Sequence, residues 1–175
     1  LIAAPVVVHP QAPGAPQQGP GSQPTKVPAM CRVAGTVEPA INFEVWLPEG
    51  SGWNGRFQAV GGGGLAGIIS YPAMGEAVRA GYASSSTDTG HVASDNAWLL
   101  DRQRIIDYGY RAIHEMTVKA KAVIEAHYGR APEYAYFNGC STGGRQGLMT
   151  AQRFPDDYDG IVSGAPVFRF TNLHM

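Results

Sequence analysis

The sequence predicts an α/β protein built on a mostly parallel, doubly wound sheet, and three observations point to this class. Short strand-like runs alternate with helix-like runs from Cys31 onward. A Gly-x-Ser-x-Gly motif around Ser141 lies between one such strand-like run and the next helix-like run. The length of 175 residues and the 44% hydrophobic content suit one globular α/β unit.

Apolar periodicity and turn residues predict where the elements lie. In chain order they are strands at 41–47 and 56–60, a helix at 72–80, a strand at 82–87, a long helix at 104–127, a strand at 133–137, a helix at 144–154 and a strand at 160–163. In the long helix, mostly apolar residues recur every three or four positions and so form one continuous stripe along the helix. This spacing predicts that the stripe packs on the sheet. The stripe consists of Ile106, Tyr110, Ile113, Thr117, Ala120 and Ile124.

The N-terminal segment has a different composition. Residues 1–30 hold seven of the thirteen prolines together with four glutamines. A segment of this composition cannot bury a core. We therefore expect a mobile, extended arm at 1–30 and a folded domain at 31–175. No signal peptide is recognisable, and the longest apolar runs are far shorter than the ~18 residues of a membrane helix.

Composition also excludes several kinds of partner. The net charge of −1 argues against a nucleic-acid or polyanion ligand. His114 and His127 lie in the long helix without a second ligand four residues on, so we expect no metal in this segment.

His91 follows Asp88 in Ser-Thr-Asp-Thr-Gly-His, which is typical of a strand end whose side chains hydrogen-bond their own backbone. We therefore expect a structural function for His91. The oligomeric state is left open.

The segment 136–145 contains the strongest chemical signal. A sharp turn from strand to helix would expose the Ser141 hydroxyl, and a Cβ atom at Gly139 or Gly143 would collide with neighbouring backbone. A helix that begins near Thr142 would direct its unpaired N–H groups toward negative charge that develops at Ser141. This arrangement suits acyl transfer with Ser141 as nucleophile and the Thr142 N–H in the oxyanion hole. A tight turn without chemistry, in a non-catalytic α/β domain, is the alternative.

A second glycine cluster, at 61–67, permits two incompatible hypotheses. In the first, Gly62-x-Gly64-x-x-Gly67 with Asp88 some twenty residues later binds NAD(P) in an oxidoreductase. The Ser-Tyr-Pro run at 70–72 argues against it, because the motif must open a helix. In the second, the cluster is an oxyanion loop, in which Gly62 or Gly63 donates the second N–H. The sequence does not decide between Gly62 and Gly63.

Four motifs in order resemble the tannase and feruloyl esterase family: Trp-Asn-Gly-Arg-Phe at 53–57, the glycine loop, Ser-Thr-Asp-Thr-Gly-His at 86–91 and Phe-Asn-Gly-Cys-Ser-Thr-Gly-Gly-Arg at 137–145. The resemblance extends from Cys31 to the end of the chain. It implies an α/β-hydrolase fold and a secreted or periplasmic serine hydrolase that cleaves esters of phenolic acids. Feruloyl, galloyl and terephthaloyl esters remain equal candidates.

The resemblance also implies features that these residues lack. Members bond the cysteine before the nucleophile to a cysteine after the catalytic histidine, and Cys140 matches the first half only. Cys31 is expected to be free or paired with Cys140. The aspartate and histidine of the triad should follow Ser141, but only three aspartates and His174 do so. We therefore expect 31–175 to be the N-terminal part of a hydrolase domain, without the lid, in which relatives often bind calcium.

Overall fold

The structure is a computed structural model that describes residues 6–7 and 27–169. Within these residues one sheet contains seven strands. The strands are β1 (Val6–Val7), β2 (Met30–Val37), β3 (Ile41–Pro48), β4 (Arg56–Val60), β5 (Ala83–Thr87), β6 (Tyr134–Cys140) and β7 (Gly160–Gly164). Their spatial order is β1-β2-β3-β5-β4-β6-β7. The first three strands and β5 pair antiparallel, whereas β5, β4, β6 and β7 are parallel neighbours.

Helices connect the parallel strands. They are α1 (Tyr71–Arg79), α2 (Arg102–Ile106), α3 (Ala112–Tyr128) and α4 (Thr142–Arg153), with a π-helical turn, Asp107–Arg111, between α2 and α3. In the part of the chain that the structure describes, none of the helices combines the length and apolar character needed to cross a membrane.

The sheet is covered on both faces, as the doubly wound prediction requires. On one face, Phe57, Ala59 and Phe137 form the main core with residues of α3 such as Met116 and Ile124. On the other face, Val60 and Trp46 pack against Met74 and Val78 of α1. Alternate residues of β4 thus point into different cores, because successive strand side chains point to opposite faces.

The predicted elements from 41 to 164 are confirmed, mostly within one or two residues of their bounds. The mostly parallel sheet begins with antiparallel strands: β2, which was not predicted, pairs antiparallel with β3 through eight residues. Since Met30 lies where the proline-rich segment ends, composition hides this strand. Of the predicted arm at 1–30, residues 1–5 and 8–26 lie outside the described residues, and the proposed domain boundary stays a prediction.

The buried stripe of the long helix is confirmed only from Ile113 onward. Before that residue, Asp107 and Tyr108 are buried, whereas Ile106 and Tyr110 are half-exposed. A π-helical turn holds one residue more than an α-helical turn, so it rotates the preceding residues relative to the stripe. A strict α-helical period therefore selects the wrong residues before position 112.

A buried carboxylate joins α1 to the antiparallel strands. Glu44 of β3 is 3% exposed. It accepts hydrogen bonds from Arg32 Nε at 2.7 Å, Trp46 Nε1 at 2.8 Å and the Tyr71 hydroxyl at 2.8 Å. Burial alone would raise the pKa of Glu44, but these bonds outweigh burial and hold the pKa below its ordinary value.

We expect Tyr71→Phe to lower the free energy of unfolding by about 1–2 kcal/mol at pH 7, because a hydrogen bond to a charged group is lost. Because the pKa of Glu44 is lower in the folded than in the unfolded protein, the Glu44 carboxylate contributes stability above its unfolded pKa of ~4.3. This contribution is lost as the pH falls through the folded pKa. The deficit of the variant should therefore shrink below about pH 4. Urea unfolding at several pH values measures it. Tyr82→Phe, whose hydroxyl has no hydrogen-bond partner in residues 27–169, is the control; an equal loss in both variants would contradict the prediction.

Candidate active site

Ser141 lies at the corner where β6 ends and α4 begins. Its backbone angles are φ 59° and ψ −120°, in a region that non-glycine residues rarely occupy. Such a conformation costs about 1–3 kcal/mol and is characteristic of functional turns. The residue is exposed, as expected for a serine held at the top of the sheet in a nucleophile elbow.

The glycines around this turn are required by close backbone contacts. A Cβ atom at Gly139 would lie 2.5 Å from the carbonyl carbon and oxygen of Gly143, and one at Gly143 would lie 3.0 Å from the Gly62 oxygen. The collision that the sequence predicts at Gly139 is therefore present, whereas at Gly143 the contact would be tight. The second also shows that the glycine loop packs directly against the elbow.

The N-terminus of α4 lies beside Ser141. Thr142 is the first helical residue and is 3% exposed, and the Ser141 carbonyl accepts the N–H of Arg145 to start the helix. Within residues 27–169 the Thr142 N–H has no acceptor, as is usual in the first turn of a helix. The Thr142 side chain has a separate function, since its Oγ1 donates to the carbonyl of Gly64 in the glycine loop.

The glycine loop distinguishes the two candidate donors. The Gly62 N–H donates to Gln146 Oε1 at 3.1 Å, and Gly62 is buried. Gly63 is exposed, and its carbonyl accepts from Ala66 N at 2.8 Å. No atom of residues 27–169 accepts the N–H of Gly63. Of the two glycines, only Gly63 therefore has an N–H available to a substrate oxygen.

An aromatic cluster of His91, Trp98 and Tyr108 packs beside the glycine loop. His91 Nε2 lies 2.8 Å from the Leu65 carbonyl, and the His91 ring stacks on Trp98 at 4.1 Å. Trp98 in turn contacts Tyr108 and Ala66. These contacts agree with a structural function for His91, because its Nε2 is hydrogen-bonded to the backbone of the glycine loop.

Arg145 fixes the first turn of α4 to the π-helical turn. Its guanidinium donates to the carbonyls of Gly109 at 3.0 Å and Tyr108 at 3.1 Å, and it lies 4.6 Å from the Tyr108 ring centroid. Carbonyls of the π-helical turn thus accept both of these bonds from Arg145.

The dinucleotide-binding hypothesis is not supported. The Asp88 carboxylate accepts the backbone N–H of Asn42 at 3.0 Å, the Asn42 side-chain amide at 2.7 Å and the Gly90 N–H at 2.9 Å. It closes a turn and has no free oxygen directed at a ribose. Gly67 bonds to Asp88 and Ala93 backbone instead of opening a helix, and α1 begins only at Tyr71.

The histidines of residues 27–169 all contact groups other than Ser141. His114 Nδ1 lies 2.9 Å from Asp157 Oδ2 and stacks on Phe154 at 3.8 Å. Asp157 follows the end of α4, a helix of twelve residues, which at ~1.5 Å per residue separates it from the elbow by ~18 Å. His127 packs against Tyr128 at the end of α3. His174 lies outside the described residues.

Both cysteines are free in the structure. Cys140 is exposed beside Ser141, and Cys31 is buried in β2, where burial raises the pKa of its thiol. The disulfide that the resemblance implies for Cys140 is therefore not observed, nor is a bond between Cys31 and Cys140.

Gln146 is the residue of this site that the sequence did not reveal. A usable signal exists: Gly143, Gly147 and Thr150 share a buried face of α4 with Gln146, and a glutamine on a sheet-facing side must find a polar partner. Pattern alone could not identify the Gly62 N–H as that partner.

Comparison with known proteins agrees with this geometry. The family model for tannase and feruloyl esterase matches residues 25–175. An uncharacterised esterase of Xanthomonas campestris is 46% identical over 147 residues, and a probable feruloyl esterase B-1 of Aspergillus fumigatus is 45% identical over 132 residues. These matches cover 80% and 75% of the chain. The chain spans about a quarter of the length of either relative.

A solved structure shows the same fold. The crystal structure of feruloyl esterase B from Aspergillus oryzae superimposes with a TM-score of 0.84 at 34% identity, covering 98% of this chain and 35% of that one. The expected α/β-hydrolase fold is confirmed by this and other esterase structures. The chain belongs to the tannase and feruloyl esterase family.

Proposed function

We propose that the protein is a serine carboxylic-ester hydrolase and that these residues supply its nucleophile and oxyanion hole. The observation that supports this most directly is the backbone of Ser141, an exposed residue held at φ 59° between β6 and α4. A structural turn could use a glycine there without strain. A serine in that conformation is explained by the chemistry of its side chain.

In the acylation step, Ser141 Oγ attacks the ester carbonyl carbon and a tetrahedral intermediate forms. The N–H groups of Thr142 and Gly63 donate to the oxyanion, aided by the positive end of the α4 dipole. The carbon–oxygen bond to the alcohol then breaks, which leaves an acyl-enzyme on Ser141. Water hydrolyses this ester in the second half of the reaction.

The general base is proposed to lie outside residues 27–169. His91, His114 and His127 are engaged elsewhere, as described above. A histidine oriented by an acid, the usual arrangement after the nucleophile in this fold, would accept the Ser141 proton and return it to the leaving alcohol.

The proposed substrates are small esters of aromatic acids. Support comes from the names of the relatives, which include feruloyl esterases and, among the solved structures, a tannin acyl hydrolase of Aspergillus niger. Feruloyl esters are the first choice, with galloyl and terephthaloyl esters next. Secretion or a periplasmic location is proposed on the same resemblance, and so is a calcium ion in a lid domain; no cofactor is proposed within residues 27–169.

Hydrolysis of methyl ferulate, methyl gallate and a terephthalate monoester, followed by release of the free acid, tests the proposal. We expect turnover of at least one of the three, with methyl ferulate the fastest. A folded full-length protein that hydrolyses none of them would contradict the proposed function and favour a non-catalytic domain.

A further inference from the structure

We propose that Gln146 is a positioning residue that holds the glycine loop against the nucleophile elbow and so makes Gly63 the loop's oxyanion donor. The inference rests on the proposed function and extends it to a residue that does not touch the substrate.

The contact joins two segments far apart in the chain. Gln146 lies on α4, five residues after Ser141, and is 2% exposed. Its Oε1 accepts the Gly62 N–H at 3.1 Å. A Cβ atom at Gly61 would lie 3.0 Å from the same oxygen, so the amide is in close contact with the loop backbone. The facing atom must be the oxygen, because a backbone N–H requires an acceptor.

The loop needs such restraint because it consists of glycines. Four successive glycines have wide conformational freedom, and an oxyanion hole requires donors fixed in advance. Two side chains of α4 restrain the residues on either side of Gly63. Gln146 fixes the Gly62 N–H, and Thr142 Oγ1 donates to the Gly64 carbonyl. Within residues 27–169 the N–H groups of Gly61 and Gly62 are engaged, whereas those of Gly63 and Gly64 have no acceptor. Of these two glycines, Gly63 is the one that the oxyanion-loop hypothesis names, and it lies between the two restrained groups.

Stability does not explain this glutamine. Its Nε2 is buried and has no hydrogen-bond partner within the described residues. An unsatisfied buried polar group costs about 1–3 kcal/mol, and a partly satisfied one is worse than an apolar side chain of similar shape. A glutamine at this position is therefore accounted for by the acceptor that it presents to Gly62.

The kinetic test compares Gln146→Met with Thr150→Val in the full-length protein. Methionine keeps the length of the side chain and removes the strong acceptor. Thr150 is also 2% exposed on α4, and its Oγ1 donates to a carbonyl of the same helix without reaching the loop. We expect kcat for methyl ferulate to fall about 10- to 100-fold in Gln146→Met with KM within about twofold, since a loosened donor weakens transition-state binding. Thr150→Val should keep wild-type kcat.

Amide hydrogen exchange provides a readout that does not depend on turnover. The wild-type Gly62 N–H should exchange slowly and that of Gly63 rapidly, and Gln146→Met should remove the protection of Gly62. Equal exchange of the two amides in the wild type, or unchanged kcat in Gln146→Met, would overturn the inference. Ser141→Ala separates the two proposals: full activity in that variant refutes the proposed function, whereas an inactive Ser141→Ala beside a fully active Gln146→Met refutes only the role of Gln146.

Discussion

Ser141→Ala should reduce kcat/KM for methyl ferulate by a factor on the order of 10⁵ or more, because the acyl-enzyme can no longer form. The fold should survive. The substitution removes one exposed oxygen and leaves the elbow hydrogen bonds intact, since those from Arg145 and Val167 go to the Ser141 carbonyl. Steady-state kinetics and thermal unfolding of the same preparation measure both effects.

Ser85→Ala is the matched control for this change. The Ser85 hydroxyl is buried in β5 without a hydrogen-bond partner among the described residues, so its loss should leave turnover unchanged and stability equal or slightly higher. Turnover of Ser141→Ala within tenfold of the wild type would mean that another group attacks the ester.

Gly139→Ala should have the second-largest effect, and it should act on both stability and activity. The new Cβ would lie 2.5 Å from backbone atoms of Gly143, which cannot move without displacing the first turn of α4. We expect a loss of about 2–4 kcal/mol in the free energy of unfolding. A displaced elbow should also lower kcat at least about 100-fold, because small misplacements of reacting groups are costly.

Gly109→Ala is the control that shows whether a methyl group added to another glycine would also lower stability and kcat. A Cβ at Gly109 meets nothing within 4 Å, and alanine in a helical segment should raise stability by up to about 1 kcal/mol. Urea unfolding and methyl ferulate kinetics compare the two variants. If Gly139→Ala unfolds at the wild-type midpoint with wild-type kcat, the close packing of the elbow is refuted.

The sequence predicted the order of elements well because most of them depend on local patterns. The apolar residues of β4 and the turn residues around α1 are readable from a few neighbouring residues. The same is true of the elbow, whose motif specifies both the strained serine and the glycines that surround it. These features follow from sterics within about ten residues.

The missed features depend on contacts distant in the chain. β2 becomes a strand through its pairing with β3, which composition near Met30 does not reveal. The π-helical turn is stabilised by Arg145, 36 residues after Gly109. The glycine loop fits a dinucleotide motif letter by letter, and the contacts that argue most directly against that use, such as those of Asp88 with Asn42, join residues distant in the chain. The choice between Gly62 and Gly63 likewise needs the side-chain position of Gln146.

The central claim is that Ser141 attacks the ester, and trapping the acyl-enzyme tests it most directly. The full-length protein would be mixed with an activated ferulate ester, quenched in acid before deacylation, digested and mapped by mass spectrometry. The account predicts a feruloyl group on the peptide that contains Ser141 and none in Ser141→Ala. A feruloyl group on another residue, or hydrolysis without any acylated Ser141 peptide, would contradict it.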